Sequence, residues 1–361
     1  MNCEIPDSLE DLHLANSKPN PVNIAGYGRE STHKGYLSWI LSTDRNPFAL
    51  DLISSLNGTI EMKNDLSRTI NTFCYFEQKI GKHRIDLLIA LNQMNSDFKE
   101  KYLPIELKTD SGPSGEKQFT DMSSFIESDK KYLRGYVFCL GSSYIQSHDW
   151  NNFRVVTPED LVEKWKQYYD KAPSFLRDWL DMVAIEIARK KLAVDVFSYN
   201  VRNKDSFWNF GYRNYKHLMY YVYSEFRKYL EKRNCAQIWD IYDGSHNAVM
   251  NLSKGEESWI YAKGIKNVRW LFEFNDNKFC LKLEHLSDEN EAFLAWVMNT
   301  KKLLQTVDSD FPIKINNRKI TKKGWPTLGK WEIDFTDFEQ LEKQVKCILN
   351  DYGVNGIMGA T

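Results

Sequence analysis

The sequence predicts an α/β domain followed by an α+β domain, in a chain of 361 residues. In the first half, apolar segments typical of strands alternate with amphipathic segments typical of helices, in the order α, β, β, β, α, β, β, α. At roughly 150 residues per domain, the length corresponds to about two domains, each able to bury its own core. We place the boundary near residue 170, because the character of the sequence changes after Lys171-Ala-Pro173.

Composition and charge narrow the possible functions. The chain carries 48 Lys and Arg against 49 Asp and Glu, a formal net charge of −1, with 42% hydrophobic residues. These values are typical of a folded protein and exclude binding to nucleic acid by bulk charge alone. There is no long apolar run, the N-terminal segment is polar and acidic, and the six cysteines are scattered singly. We therefore expect no membrane helix, signal peptide, zinc site or disulfide framework, and a cytoplasmic location.

Spacing and breaker residues place the elements of the first half. Residues 1–26, with three prolines among polar residues, predict an irregular arm. Helices are predicted over about 29–41, 48–56 and 116–133 and after Thr157, and strands within 72–91, 102–108, 136–140 and 153–156. A Gly-Lys pair at 81–82 predicts a turn inside the first strand segment, and 111–115 is a cluster of breaker residues.

The second half combines helices with at least one hairpin. Helices are predicted over about 174–196, 212–233, 289–304 and 338–349, and a hairpin with strands 270–274 and 279–284. We assign the tyrosines of 212–233 to packing. The basic loop between the last two helices holds Lys322, Lys323 and Trp325. Such a mixture can track a phosphate backbone and stack on bases. The alternative is a solvated loop whose tryptophans enter the core.

The residues that indicate chemistry lie on two strand segments. Side chains alternate between the faces of a strand, so Glu106 and Lys108 project from one side while Ile105 and Leu107 pack on the other. Asp86 alternates in the same way with its apolar neighbours, and it joins the same patch if the strands are adjacent. Two carboxylates without a Cys or His ligand suit a hard cation such as Mg²⁺. With the ammonium of Lys108, such a cation suits phosphodiester hydrolysis, because it neutralises the phosphate and activates water.

Two helices could add to this patch. Glu30 has a helical spacing from Leu37 and Leu41, and an acid on that apolar face is unexpected unless it enters a site. Gln118, in the helix after the breaker cluster, could reach the same patch. Alternatively, Glu30 is a negative charge that stabilises the N-terminus of its helix through the helix dipole. The alternative for Gln118 is an exposed polar residue near the start of its helix.

These residues resemble the PD-(D/E)XK nuclease superfamily, whose restriction-endonuclease-like core has the order αβββαβ and a mixed central sheet. In this resemblance Asp86 stands for the first motif acid, Glu106-Leu107-Lys108 for the E-x-K, Glu30 for the acid of the first helix and Gln118 for the glutamine of the next. The resemblance covers about residues 27–140.

Two longer motifs and two departures accompany the resemblance. Residues 29–41 look like the E-x-x-H-S-x-x-L-A-W-L-L opening of a group of bacterial nuclease-like proteins, and 115–119 resemble the E-x-Q-L that follows their E-x-K. Ile85 replaces the proline of the family name, which is tolerable because its side chain is not the ligand. Met122 replaces a tyrosine often found after the glutamine, which leaves the metal ligands intact.

The resemblance implies a nuclease domain over 27–170 and an α+β accessory domain over 171–361 that positions substrate or forms a dimer. The implied activity is metal-dependent hydrolysis of DNA in a restriction or phage-defence context, alone or with a defence-system partner protein. Mg²⁺, for which Mn²⁺ would substitute, is expected on Asp86, Glu106 and the backbone carbonyl of Leu107. Lys108 would assist the nucleophilic water, and Glu30 and Gln118 would complete the site.

Other polar residues near the motif have two interpretations each. Glu77 is a further metal ligand or pairs with a neighbour such as Lys79. Arg84 contacts phosphate or pairs with an acid. His33 and His83 are packing or surface residues rather than ligands, since Mg²⁺ favours oxygen.

Two other functions compete with DNA cleavage. One is a catalytically silent nuclease-fold protein that binds nucleic acid or a partner protein, and the other is an RNA-processing nuclease. The retained Asp86, Glu106 and Lys108 argue against the silent protein, because a pure binder has no reason to keep two unpaired carboxylates beside a phosphate.

Overall fold

A computed structural model gives the chain a mixed α/β fold with a five-stranded mixed sheet and a second, antiparallel sheet. It describes residues 3–56, 60–94, 99–110, 116–142, 153–202, 206–233, 239–244, 247–252, 260–262, 265, 268–285, 291–318 and 325–353. The chain divides into two compact units. The first comprises residues 1–192 and 205–213, and the second comprises residues 193–204 and 214–361. The mixed sheet belongs to the first unit and the antiparallel sheet to the second.

The first unit contains the predicted alternation of helices and strands. Its helices are α1 (Leu9–Ser17), α2 (Pro21–Ala25), α3 (Glu30–Ile40), α4 (Ala49–Ser55), α5 (Ile60–Ser67), α6 (Glu116–Ser128), α7 (Pro158–Trp165) and α8 (Ser174–Lys191). Its strands are β1 (Thr69–Ile80), β2 (His83–Gln93), β3 (Glu100–Lys108), β4 (Gly135–Cys139) and β5 (Phe153–Val156). They pair in chain order, antiparallel from β1 to β3 and parallel from β3 to β5. The order predicted from α3 to α7 is confirmed, and α5 is additional.

Strand β4 shows which helices cover the two faces of the mixed sheet. Val137 and Cys139 are buried in one apolar cluster with Phe119 of α6. Phe138, which lies between them, contacts Trp165 of α7 with the ring centroids 6.3 Å apart. Because alternate side chains of a strand point to opposite faces, α6 and α7 cover opposite faces of the sheet.

The N-terminal segment is helical, so the prediction of an irregular arm over 1–26 is wrong. Helix α1 begins after Ser8, whose hydroxyl oxygen accepts a backbone N–H of the first turn at 3.1 Å. Helix α2 begins after Asn20, whose side chain caps it in the same way. Both helices pack against α8. They bury few apolar side chains, chiefly Leu12 and Val22, which is why the sequence lacks a clear helical pattern.

Helix α8 carries the first unit beyond the predicted boundary at 170. It packs against α1, α2, α3 and α7, and the unit continues to Leu192. The single helix predicted over 174–196 breaks at Leu192, where α8 is capped, and α9 (Ala193–Arg202) begins at the next residue. Residues 205–213 then return to the first unit.

Arg213 holds this returning segment through a network of ion pairs. Its guanidinium pairs with Asp110, which follows β3, and with Glu186 of α8 at 3.3 Å. Glu186 also accepts from Arg189 at 2.8 Å, and both of these side chains are only 1% exposed. Arg189 donates in turn to Asn16 of α1 at 2.8 Å. The network therefore joins α1, α8, the end of β3 and the returning segment.

The second unit is built on the antiparallel sheet. With α9 it contains α10 (Tyr215–Lys232), α11 (Glu291–Gln305) and α12 (Phe338–Tyr352), and the strands β6 (Trp239–Gly244), β7 (Asn247–Leu252), β8 (Ile260–Tyr261), β9 (Val268–Asn275), β10 (Lys278–His285), β11 (Lys314–Ile315) and β12 (Thr327–Glu332). The sheet order is β11-β12-β10-β9-β7-β6, and β8 pairs with β9. The predicted β9–β10 hairpin is confirmed. Tyr220, Tyr221 and Tyr223 of α10 are buried, which confirms their packing role. Among the described helices, none has the length and apolar character needed to cross a membrane.

The predicted basic loop is partly strand, because β12 pairs with the β9–β10 hairpin. Trp331 lies opposite Phe279 and is buried, whereas Trp325 is 48% exposed. Lys322 and Lys323 lie outside the described residues. A nucleic-acid contact by this segment stays a prediction.

The start of α7 provides a test of local stability. The Thr157 hydroxyl oxygen accepts the N–H of Asp160 at 3.2 Å, and the Asp160 carboxylate accepts the N–H of Thr157 at 2.9 Å. We expect Thr157→Ala to lower the free energy of unfolding in urea by about 1 kcal/mol, because the first turn loses its cap. Ser54→Ala is the control, since that exposed hydroxyl only donates to a carbonyl of its own helix. Equal stabilities of the two variants would contradict the prediction.

Candidate active site

The predicted site lies where β3 leaves β2 and continues beside β4. The β2–β3 pairing ends at Leu87 opposite Ile105, whereas β3 stays paired with β4 as far as Lys108 opposite Cys139. Register partners in a sheet point to the same face, so Lys108 and Glu106 share the α6 face with Cys139. The site therefore lies at the end of the β2–β3 ladder, on the face that α6 covers.

Asp86 is held against β3 at this point. Its Oδ2 accepts the backbone N–H of Leu107 at 2.8 Å, so the carboxylate stands where a ladder acceptor would be. In an extended strand the N–H and C=O of one residue point to the same edge, which directs the Leu107 carbonyl toward the side of Asp86. The convergence of Asp86 with the E-x-K segment follows from strand alternation, as predicted.

Glu106 and Lys108 form a buried ion pair with one unused oxygen. The Lys108 Nζ donates to Glu106 Oε1 at 2.8 Å, and the two side chains are 9% and 6% exposed. Glu106 Oε2 is buried and accepts no hydrogen bond from any residue that the structure describes. Burial raises the pKa of Glu106 to about 7, because the attraction of Lys108 does not offset desolvation and the repulsion of Asp86 and Glu30. A cation at Oε2 would satisfy this oxygen and stabilise the ionised carboxylate.

Lys108 stays charged at neutral pH. Burial would lower the pKa of its ammonium, but the carboxylates of Glu106, Glu30 and Asp86 outweigh burial and raise the pKa above its ordinary value. A lysine with a raised pKa is a poor general base. Its chemistry is instead that of a fixed positive charge and hydrogen-bond donor.

Sequence reasoning missed Lys34, which binds two acids of the site. Its Nζ lies 3.2 Å from Asp86 Oδ1 and also pairs with Glu77 of β1. The Lys34 side chain is 18% exposed and that of Asp86 is 13% exposed. The available signal was its position one helical turn after Glu30 in α3, since residues four apart share a helix face.

Glu77 adopts an unusual backbone conformation beside Asp86. Its φ of 51° lies in the left-handed region, which residues with a side chain rarely adopt. It interrupts the β1–β2 ladder at the position opposite Asp86. It pairs with Lys34 rather than with Lys79. A role for Glu77 as a metal ligand stays a prediction.

Glu30 and Gln118 approach the site from two helices. Glu30 is the first residue of α3 and half-buried, and its charge raises the pKa of both Glu106 and Lys108. It therefore lies at a helix N-terminus and within electrostatic range of the site. Gln118 is half-buried in the first turn of α6, the helix that covers the face of Glu106. The catalytic roles of Glu30 and Gln118 both stay predictions.

His33, His83 and Arg84 lie in three different environments. His33 is buried and accepts the indole N–H of Trp179 at 3.1 Å, and burial lowers its pKa to about 4. His83 is half-buried and lies 3.0 Å from Asp121 Oδ2. His33 therefore packs in the interior, and His83 lies beside an acid. Arg84 is exposed on β2, and its contact with phosphate stays a prediction.

The site fits a cation that takes few protein ligands. Mg²⁺ is often bound by one or two carboxylates and otherwise by waters and substrate phosphates. Asp86, Glu106 Oε2 and the Leu107 carbonyl supply oxygens of this kind. Within the described ranges, no three His, Cys, Asp or Glu side chains form a metal-binding group. The oxygens of Asp86, Glu106 and Leu107 would suit a cation that takes two carboxylate ligands.

No protein-family model, no curated protein and no solved structure matches the chain.

Proposed function

We propose that the first unit is a metal-dependent nuclease domain of the PD-(D/E)XK type that hydrolyses phosphodiester bonds of DNA. The observation that carries the proposal is the buried Oε2 of Glu106, which has no hydrogen-bond donor among the described residues and lies in the field of Asp86 and Lys108. An unsatisfied carboxylate oxygen beside a second carboxylate and a charged lysine suits a divalent cation in contact with a phosphate. The mixed sheet between helices is compatible with a restriction-endonuclease-like core.

Each residue of the proposed site has a chemical role. Asp86, Glu106 and the Leu107 carbonyl would hold Mg²⁺ or Mn²⁺. The bound cation would supply charge to polarise the phosphate and to lower the pKa of a coordinated water. Lys108 stays protonated, so its ammonium would orient the attacking water or neutralise the charge that develops on the phosphate.

The charge of the cluster supports a requirement for the cation. Glu77, Asp86 and Glu106 are paired with two ammonium groups, those of Lys34 and Lys108. When all five groups are ionised, one negative charge remains in excess, and it would repel a phosphodiester. A divalent cation reverses the sign of the local charge and so permits the substrate to approach.

The proposal predicts metal-dependent cleavage. We expect the purified protein to cut plasmid DNA with Mg²⁺ or Mn²⁺ and to stop in EDTA, and Asp86→Asn to slow cleavage by about 100-fold or more. Asp44→Asn is the control, because Asp44 is an exposed acid that pairs with Arg45.

Single-stranded DNA and RNA, tested in parallel, decide the substrate class. Cleavage of RNA alone would replace the DNA assignment by the RNA-processing alternative. A protein that cleaves none of these substrates with either cation would overturn the proposal.

One observation favours the catalytically silent alternative. Both oxygens of Asp86 already have protein donors, the Leu107 N–H and the Lys34 ammonium. A silent protein would bind nucleic acid equally with and without a divalent cation, and Asp86→Asn would leave that binding unchanged. A gel-shift titration in Mg²⁺ and in EDTA separates this outcome from cleavage.

A further inference from the structure

We propose that Lys34 is an internal counter-cation of the site and competes with the divalent cation for Asp86. The inference rests on the proposed function, because it concerns the control of the same cation site. Asp86 Oδ2 is fixed by the Leu107 N–H at 2.8 Å, and Lys34 Nζ lies 3.2 Å from the other oxygen, Oδ1. Oδ1 is therefore the oxygen that a metal ion and Lys34 would share.

The charge of Lys34 makes this sharing competitive. A lysine ammonium is charged at neutral pH, and the ion pairs with Glu77 and Asp86 hold this one beside Oδ1. A divalent ion on Oδ1 would lie within a few ångströms of that ammonium. At such distances the repulsion between like charges near a protein surface is strong. Lys34 must therefore leave Asp86 when the metal binds.

Glu77 offers the place to which Lys34 withdraws. It already pairs with the ammonium, it lies opposite Asp86 in the neighbouring strand, and its side chain is 47% exposed. Lys34 can therefore exchange a position between two acids for a position on Glu77 alone. In that position the ammonium of Lys34 would lie beside the exposed Glu77 carboxylate, where a ligand in solution can reach it.

Binding of metal and binding of nucleic acid are then coupled. Without nucleic acid, Lys34 holds Asp86 and weakens the binding of the metal. A bound phosphodiester supplies a new negative partner for the displaced ammonium, so each ligand favours the other. The chain would thus keep the metal weakly until substrate arrives.

The test is Mn²⁺ binding to the full chain without nucleic acid, measured from the EPR signal of unbound Mn²⁺. We expect Lys34→Met to bind Mn²⁺ about tenfold more tightly than the parent, because a positive charge beside Oδ1 has gone. Lys34→Arg, which keeps the charge, should bind like the parent. Lys82→Met is the matched control, since it removes an exposed lysine from the β1–β2 turn of the same sheet. Lys34→Gln replaces the Met variant if circular dichroism shows that the Met variant is unfolded.

Glu77→Gln tests the second half of the inference. Without the Glu77 charge, Lys34 should bind Asp86 alone, and Mn²⁺ affinity should fall about threefold in the parent background. The same change should have a smaller effect when Lys34 is already Met, because Glu77 then has no ammonium to hold and only its own charge is lost. An equal loss in both backgrounds would show that Glu77 acts on the metal directly, as a ligand or through its charge, and would overturn its role as the anchor of Lys34.

The outcomes separate this inference from the proposed function. If the parent binds Mn²⁺ and loses it in Asp86→Asn, but Lys34→Met leaves the affinity unchanged or weaker, the role of Lys34 is wrong and the metal site stands. If the parent binds no Mn²⁺ even with non-hydrolysable DNA, the proposed function fails, and the role of Lys34 fails with it. Equal tightening by Lys34→Met and Lys82→Met would reduce the effect to general electrostatics and overturn the competition for Asp86.

Discussion

Lys108→Met is expected to reduce DNA cleavage by about 100- to 1,000-fold while the protein stays folded. The variant removes the ammonium that we propose neutralises charge on the phosphate. It also removes the partner of Glu106 Oε1, which lies at 2.8 Å. Because the attraction of Lys108 opposes the raised pKa of Glu106, its loss raises that pKa further and leaves the acid protonated at neutral pH. Charge stabilisation and metal binding are therefore lost together.

Lys101→Met is the matched control for this variant. Lys101 is also on β3 and also forms a shielded ion pair, with Asp65 at 2.7 Å, but it lies at the other end of the strand. We expect Lys101→Met to lower the free energy of unfolding, while the folded variant cleaves DNA at the rate of the parent. A Lys108→Met variant as active as the parent, or equal losses of activity in both variants, would contradict the role of Lys108.

The metal-free protein is expected to lose stability as pH rises from about 4.5 to about 7. Glu106 has a folded pKa of about 7 against an ordinary value of 4.5, so the folded state binds its proton more tightly than the unfolded state. The contribution of a group with a raised pKa is fully present below the unfolded value and is lost as pH rises through the folded value. A shift of this size corresponds to a loss on the order of 3 kcal/mol.

Urea unfolding in EDTA at pH 4.5, 6 and 8 measures this loss. Glu106→Gln carries a neutral side chain at every pH, like the protonated acid, so it should remove the part of the slope that belongs to Glu106. The difference in slope between parent and variant is therefore the diagnostic quantity. Saturating Mn²⁺ should restore stability to the parent at pH 8 and have no effect on Glu106→Gln. Identical slopes for parent and variant would show that Glu106 titrates near its ordinary pKa.

The strand segments of the candidate site could be predicted from the sequence because their pattern is local. Alternation along one strand places Glu106 and Lys108 together, and only one further assumption, adjacent strands, adds Asp86. Lys34 could not be found in this way, because its partners Glu77 and Asp86 lie on two strands of a hairpin far along the chain. Its contact depends on how α3 crosses the sheet, which no local pattern specifies.

The extent of the first unit also depends on long-range contacts that no local sequence pattern specifies. The hairpin of β1 and β2 was predictable because Gly81, with a φ of 61°, occupies a left-handed turn position that favours glycine. Helices α1 and α2 were not, because each is short and is stabilised by contacts with distant parts of the chain, α8 for both helices and residues 206–210 for α1 as well. The membership of α8 and of residues 205–213 in the first unit depends on such long-range contacts as well.

The chain passes between the two units three times, at 192–193, 204–205 and 213–214. A truncated chain that ends at 170 or at 192 would keep Asp110 but lose its partner Arg213. The chain that ends at 192 would also keep Glu186, which would retain its ion pair with Arg189 and lose the one with Arg213. A chain that ends at 213 would keep the ion pairs but carry α9 without the unit to which that helix belongs. The first unit therefore cannot be excised as one continuous piece without α9. A single proteolytic cut at 192–193 or 204–205 would leave residues 205–213 held to the rest of the first unit by noncovalent contacts such as those of Arg213.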